Sequence, residues 1–407
     1  MTTLFSDKNI VPVTELEQSA FCQTEGNLRT KTLEEEFNSG VRWQKIPTRY
    51  LKLTPEELDE GIKFARAEIG SKALVLGHHY QRDDVFKYSD VSGDSFKLSK
   101  IASENNQAKW IIFCGVHFMA ETADILTSDD QNIILPNLAA GCSMADMAKF
   151  VDVKNSWSQI ENVLRGKYNI IPITYMNSSA DIKSLCGENG GLVCTSSNAM
   201  KAYEWAFDKG EKILFLPDQH LGRNTAKDFG INDSEIILWD PYKKNGGLSD
   251  SEILNSKVIL WKGHCSVHTR FSLDQIKHVR KNKPNTKIIV HPECTNEVVK
   301  AADINGSTEL ILDTVIKSPP GSSWAIGTEI NMVNRLAKDN PDKDIFCLDS
   351  VVCPCATMYR IHPAYLLWVL EGIMAGVAIN RIKVDDDKKY NANIALERML
   401  ALGGYRA

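Results

Sequence analysis

Short apolar runs that end in clusters of polar residues recur along the chain and constrain its fold more than any other feature. Three rounds of such runs open with ALVLGHHYQ (73–81), IPITYMNSS (171–179) and VILWKGHCSVH (258–268). Helix-like segments flank the runs, which is the pattern of parallel α/β units. The rounds begin roughly 90 to 100 residues apart, about the size of one small α/β domain. The spacing therefore predicts an α/β protein made of three similar three-layer α/β/α domains.

The predicted organisation starts with an N-terminal extension at 1–70 that ends in a helix at about 54–70. Thr54 is the expected N-cap of this helix, Glu57 completes a capping box, and Gly70 is the stop signal. The three α/β domains are predicted at 71–160, 161–250 and 251–360, with the C-terminal helices in 361–407 joining the first. One long doubly wound sheet, in which all βα turns look alike, is the alternative that the pattern leaves open.

Composition excludes several classes of protein. The 407 residues are 43% hydrophobic and 24% charged, as in ordinary globular proteins, and the net charge of −5 argues against a nucleic-acid binder. The N-terminus lacks the pattern of a secretion signal, and the most apolar stretch, LLWVLEGIMAGVAI, is too short to span a bilayer. These features predict a cytoplasmic protein that binds neither nucleic acid nor membranes. In that compartment the ten cysteines are expected to be buried, metal-bound or catalytic thiols.

Polar residues follow the apolar runs, at the positions where open α/β sheets bind their ligands. These candidates are His78, Tyr80, Tyr175, Asn177, His264, Cys265, His268, His291 and Glu293. In HPEC (291–294) the imidazole and the carboxylate can form an acid/base pair or a metal-binding pair, or can hydrogen-bond and cap the next helix. GHCSVH (263–268) packs three potential metal ligands into one short segment, a density that packing alone does not explain.

Three hydroxyl-rich turns are predicted to open helices: GDS (93–95), TSSNA (195–199) and NGST (305–308). Such turns offer backbone N–H groups and hydroxyls that suit a carboxylate or a phosphate. Ordinary N-capping explains any one of them. Three turns at equivalent positions of the repeat favour a site that holds several anionic groups.

Nine of the ten cysteines fall into two groups. Five lie within or beside apolar or extension segments, where a free thiol behaves as a small buried hydrophobe: Cys22, Cys114, Cys186, Cys194 and Cys347. Cys142, Cys265 and one of the pair Cys353 and Cys355 lie instead in polar loops after strands. Three thiolates leave one coordination position open, which is typical of a catalytic site. The spacing alone indicates a metal or a cluster and does not choose between them.

Taken together, the motifs resemble those of quinolinate synthase, the A-type enzyme of de novo NAD synthesis. In order, they are GVHFMAETADIL, LPNLAAGCSMAD, TSSNA, LPDQHLGRNTA, GHCSVH, HPEC, GST, GTE and CATM, spread between about residues 71 and 372. The resemblance implies a pseudo-threefold arrangement of the three domains around a central site. It also implies an oxygen-sensitive 4Fe-4S cluster that is held by three cysteines and has one open iron.

The resemblance also implies roles for individual residues. The implied cluster ligands are Cys142, Cys265 and Cys355, and Cys353 is left as either a redox partner for Cys355 when the cluster is lost or a tolerated residue. The implied reaction condenses iminoaspartate with dihydroxyacetone phosphate to quinolinate, with loss of phosphate and water, while the open iron acts as a Lewis acid. The implied catalytic residues are Tyr80, His268, His291 and Glu293, with Glu293 as general base, and the implied substrate-binding residues are His78, Ser95, Tyr175, Asn177, Ser197, Ser307 and Thr308. An L-aspartate oxidase or dehydrogenase is the expected transient partner.

Two other classes of function remain open at this point. One is a zinc-dependent lyase that uses His291, Glu293 and the cysteines. The other is a non-catalytic iron–sulfur sensor, which would be expected to carry a basic surface or a separate output domain. The acidic charge balance counts against the sensor.

Overall fold

The structure, a computed structural model, describes residues 21–22, 31–38 and 41–403. Within them the strands are β1 (Ala73–His78), β2 (Val91–Gly93), β3 (Trp110–Cys114), β4 (Asn132–Ile134), β5 (Ile170–Tyr175), β6 (Leu192–Cys194), β7 (Lys212–Leu216), β8 (Ile236–Trp239), β9 (Val258–Trp261), β10 (Lys287–Val290), β11 (Ile304–Asn305), β12 (Ser323–Gly327), β13 (Asp344–Cys347) and β14 (Arg381–Ile382). The α-helices are α1 (Leu33–Phe37), α2 (Pro55–Ile69), α3 (Asp83–Phe86), α4 (Ser95–Glu104), α5 (His117–Leu126), α6 (Ser143–Asp146), α7 (Phe150–Leu164), α8 (Ala180–Glu188), α9 (Ala199–Phe207), α10 (Gln219–Asp228), α11 (Asp250–Asn255), α12 (Leu273–Asn282), α13 (Asn296–Ala301), α14 (Thr308–Ile316), α15 (Ile330–Asp339), α16 (Ala356–Tyr359), α17 (Pro363–Met374) and α18 (Asp386–Leu402). Their alternation confirms the predicted α/β class. None of the helices described here is long and apolar enough to cross a membrane.

The strands form three sheets whose strand orders are β14-β4-β3-β1-β2, β6-β5-β7-β9-β8 and β11-β10-β12-β13. Neighbouring strands are parallel, except that β14 runs antiparallel to β4. If β9 and β14 are set aside, each sheet contains four strands that follow one another along the chain. Across each sheet, these four strands lie in the order second, first, third, fourth. The repeat in the sequence is therefore a repeat of topology.

Strand β9 differs from the sequence prediction. Its segment VILW was expected to open the third round, but it lies between β7 and β8 of the second sheet and runs parallel to both. All four of its residues are buried, because both edges of the strand are paired and both faces are covered. The third sheet opens at β10 instead, and the predicted boundary after residue 250 falls ahead of a strand of the second sheet.

Two compact units share these sheets. One comprises Met1–Cys142, Glu329–Arg335 and Ser350–Val384 and contains the first sheet, and the other comprises Ser143–Thr328, Leu336–Asp349 and Asp385–Ala407 and contains the second and third sheets. In the first unit α17 packs against α2, and in the second α18 packs against α8. Of the two C-terminal helices, α17 therefore lies in the unit that contains the first sheet and α18 lies in the other unit. Helix α7, most of which was predicted in the first domain, lies in the second unit.

Helix α2 forms where the capping signals place it. The side chain of Thr54 accepts a hydrogen bond from the Glu57 amide at 3.2 Å, and the Glu57 carboxylate accepts one from the Thr54 amide at 2.8 Å. Gly70 ends the helix with a φ of +57°, a conformation that favours glycine. The predicted helix of the extension is thus confirmed.

Phe21 and Val41 of the extension pack with Ala356 and Tyr359 of α16 within the first unit. Arg82 forms a buried ion pair with Glu36 at 2.9 Å, and its guanidinium lies 4.1 Å from the centre of the Tyr359 ring. A disulfide joins Cys22 to Cys353. The prediction of a free thiol at Cys22 is therefore wrong, and Cys353 has a partner that the sequence does not indicate.

Arg82→Met tests the buried ion pair. The substitution removes the cation from the buried Glu36 and the partly buried Asp84, so we expect the free energy of unfolding to fall by about 3–5 kcal/mol. Lys277→Met, which removes an exposed ion pair with Asp274, is the control and should change it by less than about 1 kcal/mol. Denaturant unfolding measures both. Equal stability of Arg82→Met and the wild type would refute the energetic role given to this pair.

Candidate active site

A buried contact between a carboxylate and an imidazole lies beyond the carboxyl end of β10. Glu293 is 2% exposed, and its Oε2 lies 2.7 Å from Nδ1 of His268, which is 1% exposed. The other ring nitrogen of His268, Nε2, lies 3.2 Å from the hydroxyl of Thr328. A buried charge is stable only when it is paired and hydrogen-bonded, so this contact fixes both side chains.

The strands bring these residues to one place. His268 lies in the loop that follows β9, and Glu293 lies in the loop that follows β10. The amide of His291 donates to the carbonyl of Gly327 at 3.0 Å, which continues the pairing of β10 with β12 by one residue. The sheet therefore sets where the HPEC loop begins.

His291 completes the group. Its ring stacks on that of His268, with centroids 4.4 Å apart and planes at 16°. Its Nδ1 lies 3.8 Å from Oε1 of Glu293. The structure thus places three of the predicted catalytic residues in contact, and His268 rather than His291 is the closer partner of the carboxylate.

The surroundings set the charges of this group. Burial raises the pKa of Glu293, but the imidazoles of His268 and His291 and hydrogen bonds from His268 and Tyr175 outweigh it and hold the pKa below its usual value. Burial, together with the neighbouring His268, lowers the pKa of His291 to about 3. At neutral pH Glu293 is therefore ionised and His291 is neutral. Such a carboxylate can accept a proton from a bound molecule, and the neighbouring imidazole can share that proton.

Two further predicted residues adjoin Glu293. Tyr175 is the last residue of β5, and its hydroxyl hydrogen-bonds the Glu293 carboxylate. Cys265 offers its sulfur within 4.8 Å of ligand atoms of His268 and Glu293. Thiolate, imidazole and carboxylate are donors that zinc and iron accept. Asn177 lies two residues beyond β5 and is half-buried.

A cavity of about 170 Å³ joins two of the predicted hydroxyl turns. Ser197 and Ser307 both line it. Ser307 is the N-cap of α14 and Ser197 lies just ahead of α9, so two helix N-termini meet at this cavity. Such termini present N–H groups and positive dipole ends, which suits an anionic group. Thr308, the first residue of α14, is buried. Asp228 lies on the cavity wall, and burial raises its pKa.

The remaining predicted catalytic and substrate-binding residues, His78, Tyr80 and Ser95, lie in the first unit. The rings of His78 and Tyr80 pack edge to face at the end of β1, with centroids 4.9 Å apart. Nδ1 of His78 accepts a hydrogen bond from the Tyr80 amide at 3.1 Å. Ser95 begins α4, but Asp94 makes the cap by accepting from the Lys97 amide at 2.9 Å. The GDS turn is therefore capped by its aspartate, and Ser95 is not required for that role.

The three cysteines predicted as cluster ligands differ from the buried ones. Cys142, Cys265 and Cys355 are partly exposed, whereas Cys114, Cys186, Cys194 and Cys294 are buried. Burial raises the pKa of Cys114 to about 12, which keeps it a neutral thiol, and burial also raises the pKa of the Cys355 thiol. Cys347 is also partly exposed, but it lies on β13 with its sulfur 3.9 Å from the Thr328 carbonyl. The amide of Cys355 donates to Oε1 of Glu329 at 3.1 Å.

Two buried acidic residues were missed in the sequence although their motifs were noted. Asp218 of LPDQHLGRNTA is fully buried, and its Oδ1 accepts from the amides of His220 and Leu221 at 2.7 Å each. Burial, with the charge of Glu293, raises the pKa of Asp218. Glu329 of GTE is also fully buried, and burial raises its pKa to about 7. Asp218 follows β7 and Glu329 follows β12, as Glu293 follows β10. The position directly after a parallel strand is the signal that predicts Glu293, and it applies to these two residues as well.

Comparisons with known proteins agree with these motifs. The family model described as quinolinate synthetase A protein matches residues 60–401. A quinolinate synthase of Corynebacterium glutamicum is 52% identical over 361 residues, which is 89% of this chain and 91% of that protein. One of a Nocardioides species is 54% identical over 354 residues, 85% of this chain and 90% of that protein. One of Geobacillus thermodenitrificans is 49% identical over 358 residues, 88% and 96% of the two chains.

The neutral state of His291 predicts a pH dependence of stability. Because the folded pKa of about 3 lies below the usual 6.5, the unfolded chain binds an extra proton between these values, and stability falls as the pH falls through this window. The contribution is at most about 1.4 kcal/mol per pH unit. We expect His291→Gln to reduce the slope of unfolding free energy against pH, and His278→Gln, on the exposed side of α12, to leave it unchanged. An unaltered slope in His291→Gln would contradict the neutral imidazole.

Proposed function

The chain belongs to the quinolinate synthetase A family of enzymes, and from this premise we propose that it condenses iminoaspartate with dihydroxyacetone phosphate. The products are quinolinate, phosphate and two waters. Membership of the family implies NAD biosynthesis. The reaction requires proton removal, departure of oxygen leaving groups and the binding of several anionic groups.

The contact between Glu293 and His268 carries the proposal. Glu293 is ionised and buried, so it can take a proton from a substrate carbon or during tautomerisation. His268 lies 2.7 Å away and orients the carboxylate. With Tyr80, His268 assists departure of the hydroxyl group and polarises the carbonyl. The stacked ring of His291 holds that of His268 in place.

Glu293 becomes a stronger base when substrate arrives. Its pKa is held low by the same imidazoles that keep it ionised in the free protein. A substrate group that separates the carboxylate from His268 removes part of this stabilisation, and the pKa then rises toward the range useful for proton transfer. The free protein thus holds the base in its ionised form until it is needed.

The cysteines support a cluster. We assign Cys142, Cys265 and Cys355 as its ligands, since all three are partly exposed and match the family motifs, and Cys353 is bonded to Cys22. When bound, a 4Fe-4S cluster supplies one iron without a protein ligand, which acts as a Lewis acid on a substrate oxygen. The assignment requires the three thiols to meet, as they would in the pseudo-threefold arrangement around a central site that the family resemblance implies.

The anionic groups of the substrates are assigned to the hydroxyl turns. The cavity shared by Ser197 and Ser307 lies at two helix N-termini and suits a carboxylate or a phosphate. Thr308 and Tyr175 extend this set in the second unit. His78, Ser95 and Asn177 complete the proposed substrate-binding residues.

The chemistry of iminoaspartate suggests its supply. An imine with this structure hydrolyses in water, so direct transfer from the enzyme that forms it is favourable. An L-aspartate oxidase or dehydrogenase is therefore the proposed transient partner, and the cytoplasm is the proposed location.

A zinc-dependent lyase is the second candidate, because one observation favours it. Cys265, His268 and Glu293 offer sulfur, nitrogen and oxygen ligands close enough for a single ion. Anaerobic metal analysis distinguishes the two, since zinc without sulfide favours the lyase and iron with sulfide favours quinolinate synthase.

Glu293→Gln tests the general base. The amide preserves the shape of the side chain but cannot accept the proton, so we expect turnover to quinolinate to fall about 10²–10⁴-fold while iron and sulfide stay unchanged. Glu297→Gln, at an exposed position of α13, is the matched control. Near-normal turnover by Glu293→Gln with an intact cluster would remove Glu293 from this role.

Cys355→Ser and Cys353→Ser test the third ligand. Serine at position 355 removes a thiolate from the cluster, so the brown absorbance of anaerobically purified protein should be lost. Serine at position 353 breaks the disulfide with Cys22 and should leave the absorbance in place. A full cluster in Cys355→Ser would refute the assignment.

A further inference from the structure

We propose that Asn224 is a positioning residue that holds the HPEC loop so that Glu293 faces His268. Asn224 lies in the middle of α10 and is 2% exposed. It acts through the backbone of the loop, so it is distinct from the residues proposed to touch substrate. The kinetic part of the inference rests on the proposed function, whereas the contacts that motivate it do not.

One amide group binds both carbonyls that flank Glu293. Nδ2 of Asn224 donates to the carbonyl of Pro292 at 2.7 Å and to that of Cys294 at 2.9 Å. A primary amide carries two N–H donors, so a single side chain can satisfy both acceptors. Because the two peptide groups on either side of Glu293 are held from one point, the direction of its side chain follows from the position of Asn224.

The amides of the loop make other hydrogen bonds, and that of Glu293 donates to Nδ1 of His291 at 3.4 Å. The His291 amide donates to Gly327, and the Cys294 amide donates to His291, which closes a tight turn. These bonds use the amides of the loop and leave its carbonyls at 292 and 294 to the side chain of Asn224. The carbonyls are buried, and a buried acceptor without a donor is strongly unfavourable.

The orientation of the Asn224 amide is itself set by a neighbour. Nδ2 of Asn296 donates to Oδ1 of Asn224 at 2.8 Å. The oxygen of Asn224 therefore faces Asn296, and its nitrogen faces the loop. Asn296 begins α13, directly after the HPEC loop, so the same loop is held at its middle and at its end.

Helix α10 also holds the loop that carries His268. Asp218 caps the helix, and the amide of Gln219 donates to the carbonyl of Gly263 at 2.9 Å. Gly263 opens the GHCSVH segment. One helix thus contacts the loops of both partners of the buried pair, and it sets the position of one relative to the other.

Asn224→Asp tests the inference with almost no change of shape. The second oxygen replaces the donor that faced two carbonyls, so both bonds are lost and the loop is repelled. We expect kcat for quinolinate to fall about 10–100-fold, with KM changed by less than about threefold and iron and sulfide unchanged. Asn189→Asp is the matched control, because Asn189 also donates to a carbonyl, that of Leu185 at 2.8 Å, away from this loop.

A second readout does not depend on turnover. The 15N resonances of the His268 ring, assigned with His268→Gln, report its hydrogen bond to Glu293. We expect them to shift in Asn224→Asp and to stay in place in Asn189→Asp. If the wild type forms no quinolinate, the proposed function fails, and this spectrum still decides whether Asn224 positions the pair.

Asn296→Ala provides a milder variant. It removes the anchor of Asn224 while leaving both carbonyl bonds available, so it should shift the same resonances and lower kcat by a smaller factor. The inference is overturned if folded Asn224→Asp keeps the wild-type kcat and resonances, or if its kcat falls only in proportion to its iron. If Asn224→Asp does not fold, wild-type resonances in Asn296→Ala overturn it.

Discussion

The buried hydrogen bond between Glu293 and His268 is the interaction on which the rest of the site depends. Removing a carboxylate from water is expensive unless the protein replaces its hydration. Here an imidazole, a second stacked ring and the Tyr175 hydroxyl supply that replacement. The second and third sheets contribute these groups from the ends of β5, β9 and β10. The Glu293 carboxylate is therefore already desolvated and oriented before a ligand replaces one of these contacts.

The sequence was informative about this site because of how parallel sheets are built. Polar residues placed directly after apolar runs, such as His291 and Glu293 after β10, must meet at one edge of a sheet. The same rule selected Tyr175 and His268, both of which hydrogen-bond Glu293 in the structure. It failed for the partners of β9, because a fully buried apolar strand such as VILW reads the same in either of two sheets. The sheet that β9 joins depends on pairing between distant segments. The hydrophobic pattern of a single strand carries no information about that pairing.

Other features lay beyond local patterns altogether. The disulfide between Cys22 and Cys353 joins residues 331 positions apart, and neither has a spacing that suggests the other. Asn224 looks like an ordinary polar residue of an amphipathic helix until its amide is seen between the carbonyls of Pro292 and Cys294. Asp218 and Glu329 are different, since they follow strands as Glu293 does. The rule that found Glu293 applies equally to them.

The central claim is that the buried pair of Glu293 and His268 works in quinolinate formation beside an iron–sulfur cluster. The most direct measurement is quinolinate production by anaerobically purified protein supplied with both iminoaspartate and dihydroxyacetone phosphate. The account predicts quinolinate that requires both substrates, from protein that carries about four iron and four sulfide per chain. Protein with that full iron and sulfide content that forms no quinolinate from the two substrates would contradict it.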